Sequence, residues 1–429
     1  MSNTDGQKIY DIAGEIFPIC RSLSGRGVRE TFDILKKYAD ITVTEVPTGT
    51  EVFDWTVPRE WEINDAYIEN EAGEKIIDFK KCNLHVMGYS APVDEWVDLD
   101  ELLTHVYTEP GQPEAIPYIT SYYKERYGFC MSENTKNSLK PGKYHMYIDS
   151  RLFEGSLSYG EIVIPGESEE EILFTTYVCH PSMANNECSG PATAVYIADY
   201  IKRLPKRKYT YRFVFNPETI GSITYISRNL EHLKSHVKAA FNLSCVGDNL
   251  DYSIVHSKYG NTFADKALTN ILTYHDKFSD YSFLERGSDE RQYNAPGVDI
   301  PMVTFCRSKF TKFPEYHTSL DNMDFVSPEG FQGTFDVLRK LVNALENNGY
   351  YKVNVLCEPQ LGKRGLYPSV SRKGQYDTVM MLTSFIAYSD GRNDLFDISN
   401  ITHIPTEELI EIKDKLVANG LIDINDCAW

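Results

Sequence analysis

From Tyr159 to Glu346 the chain alternates short apolar, β-rich runs with stretches of helical periodicity. This pattern constrains the fold more than any other feature. Parallel strands cannot be joined by a tight turn, and a helix laid across the sheet is the usual crossover. The alternation therefore predicts an α/β domain with a mixed, mainly parallel sheet flanked by helices. Strands are predicted at 171–179, 209–216, 238–245 and 301–306, and helices at 190–204, 219–229, 262–274 and 328–346. In the last of these, Phe331, Phe335, Leu338, Val342 and Leu345 recur on one face, which marks it as buried.

Upstream, residues 7–21 and 26–39 read as amphipathic helices separated by Ser22–Gly25, and Ile41–Val46 alternates like a strand. From Phe53 to Arg151 the texture changes to dense Pro, Asn, Asp and aromatic residues with short strand-like pieces, among them Asn83–Met87 and Tyr144–Ile148. The reading is an inserted small, mostly β domain, 53–151, that interrupts an α/β domain made of 1–52 and 152–350. The aromatic run Ile116–Cys130 within it fits either core packing or a substrate-lining wall.

After Tyr351–Leu356 and a connection containing Pro359, Gly362, Gly365 and Pro368, a separate unit follows, giving a third domain at 351–429. Val379, Leu382, Phe385 and Ile386 share a helical face that ends at Asp390-Gly391; a second helix starts at Pro405 with Thr406 as its expected N-cap and stops at Gly420. Helix, short helix, helix and a terminal strand make a winged-helix-like pattern. Its would-be recognition helix carries Glu407, Glu408, Glu411 and Asp414 against Lys413 and Lys415, a poor surface for phosphates. A protein partner or homo-oligomer contact is expected there rather than nucleic acid.

The bulk properties narrow the function. A formal charge of −19 argues against a general polyanion binder. Nine cysteines without a C-x-x-C pair fit reduced thiols rather than a disulfide framework or a thiolate zinc finger. No apolar run approaches the roughly 18 residues a membrane span needs, and the first residues lack a signal core, so a cytoplasmic protein without a membrane segment is expected.

Chemistry-bearing residues gather at predicted strand ends. His180 closes the run Ile172–Val178, with Asn186 and Glu187 in the loop beyond. Glu218 follows the β run before 219–229. Ser244 and Asp248 end the strand at 238–245. His317 and Asp321 stand in EYHTSLD, preceded by GSDERQY with Asp289 and Arg291. In open α/β sheets the carboxyl ends of the strands face the binding crevice. Read singly, His180 at a strand end is better explained by packing or hydrogen bonding than by ligation, and Glu218 can be explained by the positive end of a helix.

TYVCHPSMANNECSG, NPETIGS, NLSCVGD, GSDERQY and EYHTSLD occur in the order, and at roughly the spacing, of the zinc-dependent exopeptidases typified by bacterial leucyl aminopeptidases. The whole layout is similar to uncharacterised bacterial aminopeptidase-like proteins, often associated with polysaccharide biosynthesis, that carry an inserted small domain and a C-terminal winged helix. The resemblance implies zinc, with His180 and His317 as ligands and Glu218 as general base. Typical members hold two zinc ions with two histidines, a bridging aspartate and two further carboxylates. In this chain Asn186 stands at the aspartate position, and Thr219 and Ser244 at the other two.

With three carboxylates replaced, one ion per chain is expected, held by His180, His317 and a loop carboxylate, for which Glu187 is the nearest. Glu187 also reads as a solvated acid at a helix start. Asp289 and Asp321 are expected to orient imidazoles or brace loops, and Arg291 to clamp a substrate carboxylate or form an internal salt bridge. The expected function is a metal-dependent amide hydrolase of aminopeptidase type acting on a small peptide or amide. Two rivals stand beside it: a zinc enzyme that cyclises glutaminyl groups or deacylates a sugar-linked amide, and a degenerate scaffold that binds without catalysis.

Overall fold

All seven residues of the strand Glu171–Tyr177 are buried, as a strand flanked on both faces by helices requires. It lies inside an eight-stranded sheet in the computed structural model, which describes residues 4–122, 124–366 and 376–427. The strands are β1 Thr42–Pro47, β2 Ser156–Ile164, β3 Glu171–Tyr177, β4 Thr210–Asn216, β5 Val237–Leu243, β6 Ser253–Val255, β7 Ser279–Tyr281 and β8 Met302–Cys306. Their spatial order is β1-β2-β4-β3-β5-β8-β6-β7. The central β4, β3, β5 and β8 run parallel, whereas β1 with β2, β2 with β4, and β6 with β8 pair antiparallel. Phe174 stacks between Phe213 and Phe241, at 5.0 and 5.4 Å between ring centres, and so ties the three central strands through one aromatic row.

The helices that matter for the site are α1 Asp5–Ile16, α2 Arg26–Leu35, α3 Ser189–Lys202 and α4 Ile220–His236. The first ends well before the predicted 21 because Pro18 cannot donate to the next turn. The start of α3 lies so close to β3 and β5 that a Cβ on Gly190 would meet Thr176 Oγ1 at 2.1 Å and the Leu243 carbonyl at 2.8 Å. Glycine is the one residue that permits this approach. Since β3 leads to α3 while its sheet neighbours are β4 and β5, the chain reverses its winding at β3. The crevice of such a sheet opens there.

The inserted stretch carries its own four-stranded antiparallel sheet, in the order Lys75–Asp78, Glu60–Asn70, Lys143–Phe153, Val93–Asp98. The piece Asn83–Met87, expected as strand-like, begins instead with a 3₁₀ turn at Asn83–His85. Trp61, Ile68, Met146 and Ile148 from this sheet share one buried cluster with Leu173, Val214 and Ala240 of the large sheet, and the insert belongs to the same compact unit, Met1–Gly260 with Ser279–Phe335.

The second unit, Asn261–Phe278 with Asp336–Trp429, takes in more than the expected C-terminal domain. The helix Phe263–Leu272 joins it: Phe263 meets Phe396 edge-on at 5.9 Å, Asn270 Nδ2 donates to Ser399 Oγ (2.9 Å), and Lys266 pairs with Asp394 and Asp397 at 2.8 and 2.6 Å. No periodicity could announce these long-range contacts. The winged-helix elements are Tyr376–Tyr388, Leu395–Thr402, Thr406–Ala418 and the strand Ile422–Asn425, which pairs antiparallel with Tyr350–Val353. Pro405, not Thr406, is the N-cap of the third helix. Its acidic face is partly neutralised, since Glu407 meets Arg339 (3.4 Å) and Lys340 (3.2 Å). Pro368 and residues 372–375, named in the sequence reading, lie outside the described residues. Among the described residues no helix is long and apolar enough to cross a membrane.

Candidate active site

The ends of β3, β4 and β5 deliver His180, Glu218 and Ser244 to one rim, and the loop after β8 adds His317. A cleft of about 650 Å³ opens above them, a size typical of small-molecule sites. Its floor includes Cys179, His180, Glu218, Thr219, Arg291 and His317; Trp55, Tyr118 and Tyr122 rise along its wall. The aromatic segment of the insert thus has a cleft-lining role. Tyr118 N–H donates to the His317 carbonyl and Ser319 N–H to that of Ile116, both at 2.8 Å. The Tyr118 ring lies 4.9 Å from His180 and 5.1 Å from His317, centre to centre.

His180 and His317 have ring centres 5.3 Å apart. A zinc–nitrogen bond of ~2.05 Å sets a ring centre about 3.2 Å from the ion, so two imidazoles at a tetrahedral angle have centres about 5.2 Å apart. The observed centre-to-centre spacing is the one such a pair of rings would have. Burial depresses both imidazoles to about 3, helped by Arg21 for His180 and by His180 for His317, so both are neutral. The two nitrogens of His180 face different partners: Nε2 lies 3.8 Å from Glu218 Oε2, and Nδ1 lies 2.9 Å from Glu187 Oε2.

Glu187, expected to share a centre with both histidines, therefore stands behind the His180 ring, away from the cleft. It comes from a π-helical turn, Ala184–Cys188, that precedes α3 and fans its side chains in three directions. Among the described residues the one group of three His, Cys, Asp or Glu donors within 4.8 Å of one another is Cys179, His180 and Glu187, without His317. Arg21 already supplies a positive charge there, 3.8 Å from Glu187 Oε1. Burial pushes the Glu187 carboxyl up to about 8, with Arg21 acting against it. Cys179 and Arg21 were missed in the sequence. The cysteine's adjacency to His180 was the available signal, whereas nothing local marks Arg21.

Asn186 Oδ1 accepts from His317 Nε2 (3.1 Å), and its Nδ2 donates to the Tyr177 hydroxyl (2.7 Å), which meets Ser244 Oγ at 2.6 Å. Asn186 and Ser244 hold positions where the resemblance puts acidic ligands, and Tyr177 closes a neutral hydrogen-bond network between them. Asp321 accepts from the backbone N–H of Asn185 (2.6 Å) and Asn186 (2.9 Å), so it braces the Asn loop from the His317 side. Burial pushes Asp321 up to about 7.

Glu218 sits on a strained turn. Thr219 has φ 65° and ψ −78°, and Ile220 N–H donates to the Glu218 carbonyl at 2.9 Å, the mark of a γ-turn with positive φ. Asp289 holds that turn: it accepts from Thr219 N–H (2.8 Å), Ser222 Oγ (2.9 Å) and Asn216 Nδ2 (2.9 Å). It therefore supports the loop that carries Glu218 and touches neither imidazole. Arg291 donates to Thr219 Oγ1 and makes no ion pair among the described residues, leaving the rest of its fork toward the cleft. Burial, with Asp289 adding repulsion, holds the Glu218 carboxyl well above the usual range. Ser182, Thr219, Cys245 and His317 all have positive φ, so backbone strain gathers around this rim.

Residues 10–348 match the family described as Domain of unknown function (DUF4910), and residues 348–424 match a winged helix-turn-helix family. A curated protein of Clostridium acetobutylicum, provisionally named a polysaccharide biosynthesis protein with an aminopeptidase-like domain, is 45% identical over 402 residues, covering 93% of this chain and 92% of its own. A crystal structure from the same organism, provisionally a peptidase, superposes with TM-score 0.92 at 42% identity over 98% of this chain and 97% of its own. A zinc aminopeptidase from Bacillus subtilis shares the fold, with TM-score 0.58 and 13% identity over 80% of this chain and 94% of its own.

Proposed function

Because the chain belongs to the DUF4910 family of aminopeptidase-like proteins with a C-terminal winged helix, and has the fold of the zinc aminopeptidases, we propose that it is a metal-dependent amide hydrolase of aminopeptidase type. The observation that carries this reading is the pair of neutral imidazoles, His180 and His317, 5.3 Å apart in a cleft where Glu218 faces His180 Nε2. His180 and His317 would hold one zinc ion, with the Glu218 carboxylate beside it. The ion would supply Lewis acidity at the scissile carbonyl and a water of lowered pKa. The Tyr177–Asn186–Ser244 network favours one ion over two, because neutral groups satisfied by one another offer no anionic ligand.

The chain's own residues account for the rest. Glu218 has raised proton affinity and faces the cleft, so it is suited to take a proton from the attacking water at Oε2 and return it to the leaving nitrogen. Asp289 holds the turn that aims it. Tyr118, Tyr122 and Trp55 exclude water from one side of the cleft, and the free fork of Arg291 would receive a substrate carboxylate.

Elemental analysis of protein purified without chelator is the first test. About one zinc per chain, lost in His317→Ala, supports the reading, and hydrolysis of an aminoacyl anilide that is abolished by chelation completes it. A fully metallated protein inert toward anilides and N-acylated sugars alike would leave the binding scaffold. The second reading, a sugar-linked amide as substrate, is favoured by the name of the Clostridium relative. Activity on N-acetyl sugars with none on anilides would select it. The winged helix, with its acidic third helix, is proposed as a protein-contact or self-association surface of a cytoplasmic enzyme.

A further inference from the structure

Arg21, in the connection between α1 and α2, is 2% exposed, unusual for a guanidinium, and belongs to none of the motifs. Its donors reach four pieces of chain. Nη1 donates to the Ile16 carbonyl (2.5 Å) and lies 3.4 Å from Thr31 Oγ1; Nη2 donates to Cys188 Sγ (3.2 Å); Nε donates to the His180 carbonyl (3.0 Å). The same Nε is 3.8 Å from Glu187 Oε1, an oxygen with no hydrogen-bond partner, while Glu187 Oε2 meets His180 Nδ1 at 2.9 Å. Burying an ion pair costs about as much as it returns, and apolar side chains would tie the same elements at least as firmly. Packing alone therefore leaves this charge unexplained.

The χ2 torsion of histidine is broad and roughly two-fold, so packing does not choose between the two flips of the His180 ring; a partner at Nδ1 does. We infer that Arg21 is a positioning residue of the site: holding the His180 carbonyl and Glu187 together, it sets the ring so that Nδ1 faces Glu187 and Nε2 faces the cleft. The role of Nε2 as a ligand rests on the function proposed above, whereas the setting of the ring does not. Partners of this kind are as consequential as the ligands they orient, since removing one costs about 10–100-fold in metal affinity.

The test uses the full chain as wild type, Arg21→Met, Arg21→Lys, Glu187→Gln and the Arg21→Met/Glu187→Gln double variant. Zinc affinity is measured by chelator competition, and the ring state of His180 by histidine ¹⁵N shifts in zinc-free protein. The expected result is a loss of about 10–100-fold in zinc affinity for Arg21→Met, part recovery in Arg21→Lys, and less than about 2-fold further loss when Arg21→Met is added to Glu187→Gln. Zinc-free wild type should hold a single His180 tautomer, and Arg21→Met a mixture. Equal losses in both backgrounds would overturn the inference, as would unchanged zinc affinity with only a lower melting temperature. Should wild type bind no zinc, the metal reading fails alone: loss of the single tautomer in Arg21→Met and in Glu187→Gln still supports the positioning role, and its retention refutes it. If Arg21→Met does not fold, Arg21→Lys and Glu187→Gln carry the same comparison.

Discussion

Thr219 offers a prediction whose sign runs against the ordinary ranking of residues. A β-branched side chain at φ 65° and ψ −78° costs roughly 1–3 kcal/mol of backbone strain, and most of that remains for any residue with a Cβ. Glycine relieves the strain but gives up roughly 0.5–1 kcal/mol of unfolded-chain entropy relative to alanine. Both replacements lose the bond from Arg291 to Thr219 Oγ1 equally, so it cancels in the comparison. Thr219→Gly should therefore be more stable than Thr219→Ala by roughly 0.5–2 kcal/mol. At exposed Arg228, inside α4, glycine should instead be the weaker by about 1 kcal/mol, which makes Arg228→Gly and Arg228→Ala the control pair. The assay is equilibrium urea denaturation followed by tryptophan fluorescence. Three of the four tryptophans, Trp55, Trp61 and Trp96, belong to the unit that holds the turn. Thr219→Ala equal to or more stable than Thr219→Gly would refute the argument that the turn is strained. If the strain serves to aim Glu218, the glycine variant should also lose kcat despite being the more stable of the two.

Glu218→Gln should lower kcat by about 10²–10⁴ while zinc content stays that of wild type, and a parallel loss of zinc would recast Glu218 as a ligand. Arg212 holds Glu171 in a fork (2.7 and 2.8 Å) and Glu161 at 2.5 Å, toward the amino-terminal ends of β3 and β4, away from the cleft. Arg212→Met should destabilise by at most about 3–5 kcal/mol, because buried Glu171 loses its guanidinium fork and keeps only His232, 2.9 Å away, with no change in zinc affinity; urea denaturation and chelator competition read the two. Burial works to raise the Glu171 carboxyl, yet Arg212 and His232 hold it below the usual range. A depressed folded value means that this stabilisation is present above the unfolded value of about 4.3 and fades as pH falls through the folded one. Denaturation between pH 7 and pH 3 should thus show a shallower acid limb in Glu171→Gln than in wild type, and identical limbs would count against the linkage.

The large sheet was legible because burial imposes local periodicity. β3, β4, β5 and β8 fall within two residues of the predicted spans, and α3 and the helix Pro328–Asn347 begin within one residue of theirs. The winged-helix pattern was legible for the same reason. The second unit was not, because the helix Phe263–Leu272 joins it through Phe396, Ser399 and Asp394, more than a hundred residues away. Asn83–Met87 was misread because a short apolar run has no period of its own.

At the cleft, order along the chain determined which residues meet. A parallel sheet gathers its strand ends at one rim, so His180, Glu218, Ser244 and His317 could be named together before any coordinate. Tertiary structure decided how they face one another. Glu187 is close to His180 in sequence as in space, yet the π-helical turn sends it behind the ring, to Arg21 and Cys179. Asp289 braces the turn of Glu218 from 71 positions away, and Tyr118 walls the cleft from a separate sheet's connecting segment. Spacing encodes which face of an element is buried. The direction of a side chain in a loop is set by contacts distant in sequence, and those exist only once the strands have come together.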